Sequence, residues 1–235
     1  MRKHVVDAGT KLGLGSPLRR ARQTRKFPIS WHVSLTRFAS AHLVKQQDQV
    51  NSCGIACILM VNFKIKKGLM AAGISAGSSV SAVPIPGASY VGATLSKAAV
   101  GWAVKSEPEV YKIYGQVVGT IYDGTSYTDC QNHPAVLVRL GLGNWECVYV
   151  GQAGMASAVK AAVSAGAPCI AHVTWKAGGA HFVCIDDVYS PLGTAYACVN
   201  DPGDGEVVVT ELPGSGSVPY RDNSGVFSGW IVRRT

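Results

Sequence analysis

The sequence predicts an α+β fold in which helices precede an antiparallel sheet along the chain. Between Cys53 and Phe63 apolar residues recur at spacings of three and four, which is typical of a helix. After Pro168 the pattern changes to a period of two, with many β-branched and aromatic residues, which is typical of strands. Because the two patterns do not alternate along the chain, they favour α+β over a parallel βαβ arrangement.

Three helices are predicted before the sheet. The first begins at Cys53, because Asn51 and Ser52 are good cap residues, and it ends near a lysine-rich stop signal at residues 64–68. The other two are predicted at residues 133–141 and 155–165. Glycine follows both, as it commonly does at a helix end.

Five strands are predicted in the C-terminal part, with turns rich in Gly, Pro and Asp between them. They cover residues 169–175, 181–189, 194–200, 206–212 and 226–232. Because the connections between them are short, we expect neighbouring strands to pair in a meandering antiparallel sheet.

The charge of the protein is concentrated near its N-terminus. The whole chain carries a formal net charge of +8, with 22 Lys and Arg against 14 Asp and Glu. Residues 1–45 hold ten of the basic residues and one of the acidic residues. We therefore predict a basic, poorly ordered arm at residues 1–42 and a nearly neutral folded domain at residues 43–235. Nucleic-acid binding is not expected, since the arm lacks the interleaved aromatic residues of single-strand binders.

Several classes of protein are disfavoured by composition and motifs. A hydrophobic content of 47% argues against a disordered chain. Seven cysteines, without a CxxC pair or an HExxH motif, indicate reduced thiols and neither a zinc ribbon nor a zincin metal site. The first twenty residues lack the apolar run of a Sec signal peptide. The uncharged segment at residues 68–96 is rich in Gly, Ala and Ser and contains two prolines, so we interpret it as a connection and not a membrane span.

Cys53 is the first candidate for chemistry because it opens a predicted helix. The helix N-terminus carries partial positive charge, which favours the nucleophilic thiolate. Cys57 would lie one turn deeper on the same face. A buried, inert Cys53 is the structural alternative.

A thiol nucleophile needs a base, and His181 is the better of the six histidines. It follows Gly178 and Gly179 and begins a strand, so its ring can project from the end of the sheet. His172 lies within a strand and could face either side, while His133 begins a helix. Asp201 ends the following strand, where a hairpin brings it beside His181 to orient the ring; the turn propensity of Asp-Pro-Gly is the alternative explanation.

Gln47 is the fourth candidate. Its side-chain amide precedes the nucleophile and, with the backbone N–H at the start of the helix, could bind the oxyanion of a tetrahedral intermediate. A solvent-exposed glutamine is the simpler alternative, since Gln46 and Gln49 lie beside it.

These residues resemble a known family in their order and spacing. Gln47-x5-Cys53-Gly54-x-Ala56, then Gly179-Ala180-His181-Phe182-Val183, then Asn200-Asp201-Pro202-x-x-Gly205 resemble the papain-like cysteine peptidases. Within that superfamily they are similar to the bacterial double-glycine leader peptidases and to the avirulence cysteine proteases that plant-associated bacteria inject into hosts. The resemblance covers roughly residues 43–210.

The resemblance implies a papain-like fold and a thiol endopeptidase without cofactors. In it, Cys53 attacks a protein or peptide substrate, His181 transfers protons, Asp201 orients His181, and Gln47 helps to form the oxyanion hole. It also implies a bacterial protein that acts in the cytoplasm or is moved into a host cell by a route other than Sec. The chain departs from the family pattern in the Ser190–Gly193 insertion and in the length of the uncharged segment.

Two other functions are compatible with the same residues. The three side chains could catalyse another acyl transfer, such as deamidation, transglutamination or isopeptide cleavage, because fold and triad do not select the acceptor. Alternatively, the body could be an inactive protease fold that uses the basic arm to bind an anionic partner. The arm could also be a targeting segment that the enzyme removes near residue 45.

Overall fold

The computed structural model describes residues 30–38, 40–75, 105–121 and 126–235 of the chain. Within those ranges there are four α-helices: α1 (Cys53–Ser75), α2 (Glu107–Val118), α3 (His133–Arg139) and α4 (Gly151–Ser164). The strands are β1 (Trp31–Leu35), β2 (Ala41–Lys45), β3 (Trp145–Tyr149), β4 (Cys169–Trp175), β5 (Ala180–Tyr189), β6 (Ala195–Asp201), β7 (Glu206–Leu212), β8 (Pro219–Tyr220) and β9 (Gly225–Arg234). The fold is therefore α+β, as the sequence predicts.

The main sheet is antiparallel, with strand order β3-β9-β4-β5-β6-β7 and β8 paired with β9. The central run from β4 to β7 is the meander that the sequence predicts. The last strand does not extend that meander, because β9 lies between β3 and β4. Helices do not simply precede strands either: β1 and β2 form a hairpin before α1, and β3 lies between α3 and α4.

Helix α1 is central to the molecule. Its first eleven residues, 53–63, are all buried, because it packs against β5, β2, α2 and α3. A helix enclosed in this way needs apolar residues around its whole circumference, which explains why few polar residues interrupt its first three turns. Burial also fixes the position of its N-terminus, where Cys53 lies.

Two hydrophobic cores lie on opposite faces of the sheet. Alternate residues of each strand belong to different cores: Ile170 packs with α1, α2 and α3, whereas Ala171 packs with α4. In β5, Phe182 and Val183 divide in the same way. Helices on both faces thus hold the sheet rigid at the strand ends that carry the candidate site.

The hairpin β1–β2 corrects the predicted domain boundary. The boundary at residue 42 falls within β2, and residues 31–38 and 40–42 belong to a hairpin that packs on α1, β6 and β7 instead of forming part of an arm. Residues 1–29 of the predicted arm lie outside the described residues, as do residues 76–96 of the uncharged segment. No helix in the described ranges is both long and apolar enough to cross a membrane.

Lys45 shows why the hairpin belongs to the body. Its ammonium group is buried and donates to Asp48 Oδ1 at 2.8 Å, to Glu107 Oε1 at 3.1 Å and to the Ser30 hydroxyl. A buried lysine requires such partners, since an unpaired charge in the interior is costly. The cluster joins β2 to α2 and supports the loop that leads to Cys53. Cleavage near residue 45 would cut through this cluster.

Candidate active site

Cys53 lies at the first residue of α1 and opens onto a cleft between the helices and the sheet. Its side chain is 8% exposed, so it is neither sealed in the core nor freely accessible. The backbone N–H groups of the first helical turn have no partner within the helix, and they favour negative charge at this end. This end of the helix therefore offers N–H donors and partial positive charge to an anion bound beside Cys53.

Gly54 explains how the wall of the cleft approaches Cys53. A Cβ atom at Gly54 would lie 2.0 Å from Thr128 Oγ1 and 2.9 Å from His133 Nε2. Thr128 and His133 are hydrogen-bonded to each other at 3.0 Å. Because glycine leaves this space free, the segment before α3 packs directly on the start of α1 and forms one side of the cleft.

His181 lies near the start of β5, immediately after a tight turn from β4. Gly178 and Gly179 have φ of 94° and 92°, values that residues with a side chain rarely adopt. The indole of Trp175, on the other side of this turn, stacks on the His181 ring at 5.9 Å between centroids and 26° between planes. The turn and the indole fix where the imidazole projects.

The structure brings Cys53, His181 and Asp201 together. His181 Nε2 lies 2.7 Å from Asp201 Oδ1, and Cys53 and His181 line the same cleft, where Cys53 helps to raise the pKa of the imidazole. Since Nε2 faces the carboxylate, Nδ1 is the ring nitrogen that remains for the sulfur. Cys184 pairs with Asn200 across β5 and β6, so Asp201 and His181 are diagonal neighbours where the two strands end.

Electrostatics favour a protonated His181. Burial alone would lower its pKa, but Asp201 and, to a smaller extent, Cys53 outweigh that effect and raise the pKa to about 10. For Asp201, burial opposes ionisation, yet His181 and Arg221 hold its pKa well below the usual range. The site at neutral pH therefore contains an imidazolium between an aspartate and the cysteine.

Gln47 is placed near these residues but is engaged elsewhere. Its backbone N–H donates to the Pro202 carbonyl at 2.8 Å, which ties the loop before Cys53 to the turn after Asp201. The side-chain Nε2 donates to the carbonyls of Gln49 and Val50 at 2.6 and 2.7 Å. Its Oε1 is buried and has no hydrogen-bond partner among the described residues. In this conformation the amide donors are used by the loop and not offered to an oxyanion.

The cleft in front of Cys53 has a volume of 570 Å³ and mixed aromatic and polar walls. It is lined by Cys53, Tyr127, Thr128, Asp129, Cys130, Gln131, His172, Ala180, His181, Phe182 and Trp230. Tyr127 is 72% exposed, and Trp230 packs against Tyr149 at 5.2 Å between ring centroids. Apart from the histidines, Asp129 is the one charged side chain among the lining residues that the structure describes. The cleft is open to solvent.

The other histidines that the sequence left open have different surroundings. His172 lines the cleft, but its Nδ1 is hydrogen-bonded to Ser228 at 2.7 Å and burial lowers its pKa. His133 is fully buried behind Gly54, and burial lowers its pKa to about 3. Neither is the partner of Asp201. Asp186, at the far end of β5, binds His42 instead of His181.

All seven cysteines are free thiols. Cys57 is buried below Cys53, and burial raises its pKa well above the usual value. Cys147 is the one cysteine with intermediate exposure, and the neighbouring Cys130 thiol, which lines the cleft, raises its pKa. No group of three His, Cys, Asp or Glu side chains in the described part of the chain is arranged to hold a metal ion.

Sequence reasoning missed Trp175, Tyr220 and Arg221. Tyr220 and Arg221 contact the carboxylate of Asp201 from the end of β8 and the turn that follows it. No local pattern in the sequence marks them, because the contact depends on β8 pairing with β9. Trp175 ends a predicted strand just before Gly178, and that position was the one available signal for its contact with His181.

Comparisons with known proteins do not add to this picture. No model of a known protein family matches the chain, and no curated protein matches it significantly.

Proposed function

We propose that this protein is a papain-like cysteine endopeptidase that cleaves peptide bonds through an acyl-enzyme on Cys53. The single observation that carries the proposal is the contact chain from Cys53 through His181 to Asp201. These residues lie 128 and 20 positions apart in the sequence, so only the fold could bring them together. Cys53 and His181 line a cleft, which supports an enzymatic role over a structural one.

The proposed mechanism starts from a thiolate and an imidazolium. The Cys53 thiolate attacks the scissile carbonyl carbon, and a C–S bond forms while the carbonyl oxygen takes the negative charge. The N–H groups at the start of α1 stabilise that oxyanion. His181 Nδ1–H then protonates the leaving amine, and the C–N bond breaks. Neutral His181 removes a proton from water, which attacks the thioester and releases the carboxylic acid and the thiolate.

Asp201 keeps His181 in the correct orientation through both half-reactions. Its Oδ1 accepts from Nε2 at 2.7 Å, which directs Nδ1 to the sulfur. The indole of Trp175 covers one face of the ring and excludes water from the ion pair. For Gln47, a contribution to the oxyanion hole would require its amide to exchange a loop carbonyl for the substrate oxygen.

The cleft supports an extended peptide as substrate. Aromatic side chains of Tyr127, Phe182 and Trp230 offer surface for apolar residues, and the carboxylate of Asp129 disfavours acidic ones. The family resemblance suggests a bacterial enzyme that acts in the cytoplasm or inside a host cell. Neither a metal nor an organic cofactor takes part in the proposed steps.

A peptide library analysed by mass spectrometry tests this function. We expect hydrolysis products from the wild type and none from Cys53→Ala or His181→Ala. Cys147→Ser is the matched control, because it removes another partly exposed thiol while the contact chain stays intact. Loss of ammonia, or incorporation of an added amine without hydrolysis, would instead identify a deamidase or an acyl transferase. An unchanged library would contradict the proposal.

A further inference from the structure

Asp201 divides its hydrogen bonds between its two carboxylate oxygens. Oδ1 accepts from His181 Nε2 and from the Gly203 backbone N–H, both at 2.7 Å. Oδ2 accepts from the Tyr220 hydroxyl at 2.6 Å and from two nitrogens of Arg221, Nε at 2.8 Å and Nη2 at 2.7 Å. The carboxylate is therefore held from both sides, and only one side faces the candidate active site.

Arg221 and the two residues after it adopt a backbone conformation that residues with a side chain usually avoid. Arg221, Asp222 and Asn223 have φ of 46°, 52° and 66°, so three consecutive residues without glycine adopt the left-handed region. This conformation is unfavourable for residues with a side chain, and it persists where the surrounding contacts hold it. The ion pairs of Arg221 with Asp201 and Asp204 hold its side chain, and hydrogen bonds from Ser224 to the Arg221 carbonyl close the turn. The strained backbone thus belongs to the residue whose guanidinium holds the Asp201 carboxylate.

We propose that Tyr220 and Arg221 are positioning residues that lock the rotation of the Asp201 carboxylate so that Oδ1 stays on His181. This inference rests on the function proposed above. If Oδ2 lost its donors, the carboxylate could rotate about its terminal torsion, and His181 would lose the partner that directs Nδ1 to Cys53. A hydroxyl and a planar guanidinium fix that torsion better than one point charge would, because their donors have set directions.

Arg221 acts without touching the substrate. It does not line the cleft in front of Cys53; it lines a separate cavity of 350 Å³ together with Thr210 and Asn223. Removal of its side chain is therefore expected to slow the chemical step and to leave substrate binding unchanged. The loss of support for an indirect partner of this kind typically lowers activity by about 10- to 100-fold.

Chemical rescue of Arg221→Ala tests the proposal. The truncated side chain leaves a space that opens into the 350 Å³ cavity, so added guanidinium can bind between Asp201 and Asp204. We expect the variant to have a lower kcat and an unchanged KM. Millimolar guanidinium should raise the kcat of the variant at least several-fold. Urea is the matched control, because it has a similar planar shape but no charge. Guanidinium should not activate the wild type.

Two milder variants keep the test decisive if Arg221→Ala folds poorly. Tyr220→Phe removes only the hydroxyl and keeps the ring packed against Trp175 and Phe227, so it should lower kcat without altering the unfolding temperature substantially. Arg221→Lys should restore part of the activity, since the charge remains. Wild-type kcat in both variants would overturn the inference, as would rescue by urea equal to rescue by guanidinium.

The inference and the proposed function fail in different ways. If Cys53 of the wild type reacts with iodoacetamide no faster than Cys147, and no peptide is cleaved, then the proposed function fails. If Cys53 is selectively alkylated and peptides are cleaved, but Arg221→Ala and Tyr220→Phe keep the wild-type kcat, only the positioning role fails. A fall in kcat accompanied by an equal rise in KM would also overturn it, because that result would place Arg221 in substrate binding.

Discussion

The substitution Asp201→Asn should move the alkaline limit of activity to lower pH. In the wild type, Asp201 and Cys53 raise the pKa of His181 to about 10 against the opposing effect of burial. Asparagine keeps the shape of the side chain but removes the charge that accounts for most of that rise. The pKa of His181 should then fall to 6.5 or below, because burial is no longer opposed by the carboxylate.

The size of the effect follows from the two pKa values. With a pKa of about 10, His181 is almost fully protonated near neutral pH. With a pKa of 6.5, only about a tenth of the molecules carry the imidazolium one pH unit above that value. Because the imidazolium donates the proton to the leaving amine, we expect kcat/KM at that pH to fall by about tenfold, and by about another tenfold for each further pH unit up to the wild-type limb.

The assay is the pH profile of kcat/KM with an internally quenched peptide. The wild type should retain activity up to a limb near pH 10, and Asp201→Asn should lose activity above a limb at or below pH 6.5. Asp204→Asn is the matched control, since Asp204 shares Arg221 with Asp201 but does not contact His181. If both variants kept the wild-type limb, the electrostatic argument for Asp201 would be refuted.

Three further predictions concern the wall of the cleft, its specificity and its pH stability. Gly54→Ala should lower the free energy of unfolding, measured with urea, by about 1–3 kcal/mol, because the added Cβ overpacks against Thr128. Gly154→Ala is the control and should not lower it, since a Cβ there would meet only Val150 at 3.3 Å. Asp129→Lys should shift the ratio of kcat/KM between paired Lys- and Glu-containing peptides toward the Glu peptide, by about 2- to 5-fold per exposed charge pair; an unchanged ratio would contradict this use of the cleft. Burial lowers the pKa of His42 to about 4, so between pH 6.5 and pH 4 this histidine is protonated in the unfolded chain but neutral in the folded chain. The free energy of unfolding should therefore fall as the pH drops from 6.5 to 4. His42→Asn should reduce that pH dependence of the urea midpoint, and an unchanged dependence would contradict the assignment to His42.

Local sequence patterns predicted most of the sheet because its central strands are neighbours in the chain. The strands at residues 169–175 and 206–212 have the bounds that the alternating pattern indicates, and β4 to β7 pair in sequence order. The position of β9 could not be predicted in this way. It pairs with β3 and β4, which lie far earlier in the chain, and no local signal specifies such a partner.

The N-terminal hairpin was missed because its charge outweighed its pattern. Residues 1–45 are basic overall, yet Lys45 is buried among Asp48 and Glu107 and His42 is buried against Asp186. A count of charges cannot distinguish a buried, paired lysine from a solvated one. Glu107 lies in α2 and Asp186 in β5, so these buried partners reach the hairpin only once the rest of the fold is in place.

The candidate site likewise contains residues that have a local sequence signal and residues that have none. Cys53, His181 and Asp201 could be selected from the sequence because each occupies an element end with a local signal: a helix start, a glycine turn and a strand end. The residues that support Asp201 have no such signal. Arg221 reaches the carboxylate through a left-handed turn after β8, a strand of two residues that is defined only by its pairing with β9.

The central claim is that His181 activates the sulfur of Cys53, and alkylation at limiting reagent tests it most directly. Intact-mass and peptide mapping after treatment with substoichiometric iodoacetamide should place the label on Cys53 in the wild type and in Cys147→Ser. In His181→Ala the rate of labelling at Cys53 should fall by at least about tenfold, since the thiolate loses its counter-ion. Labelling that falls mainly on Cys147, or a Cys53 rate that does not depend on His181, would contradict the account.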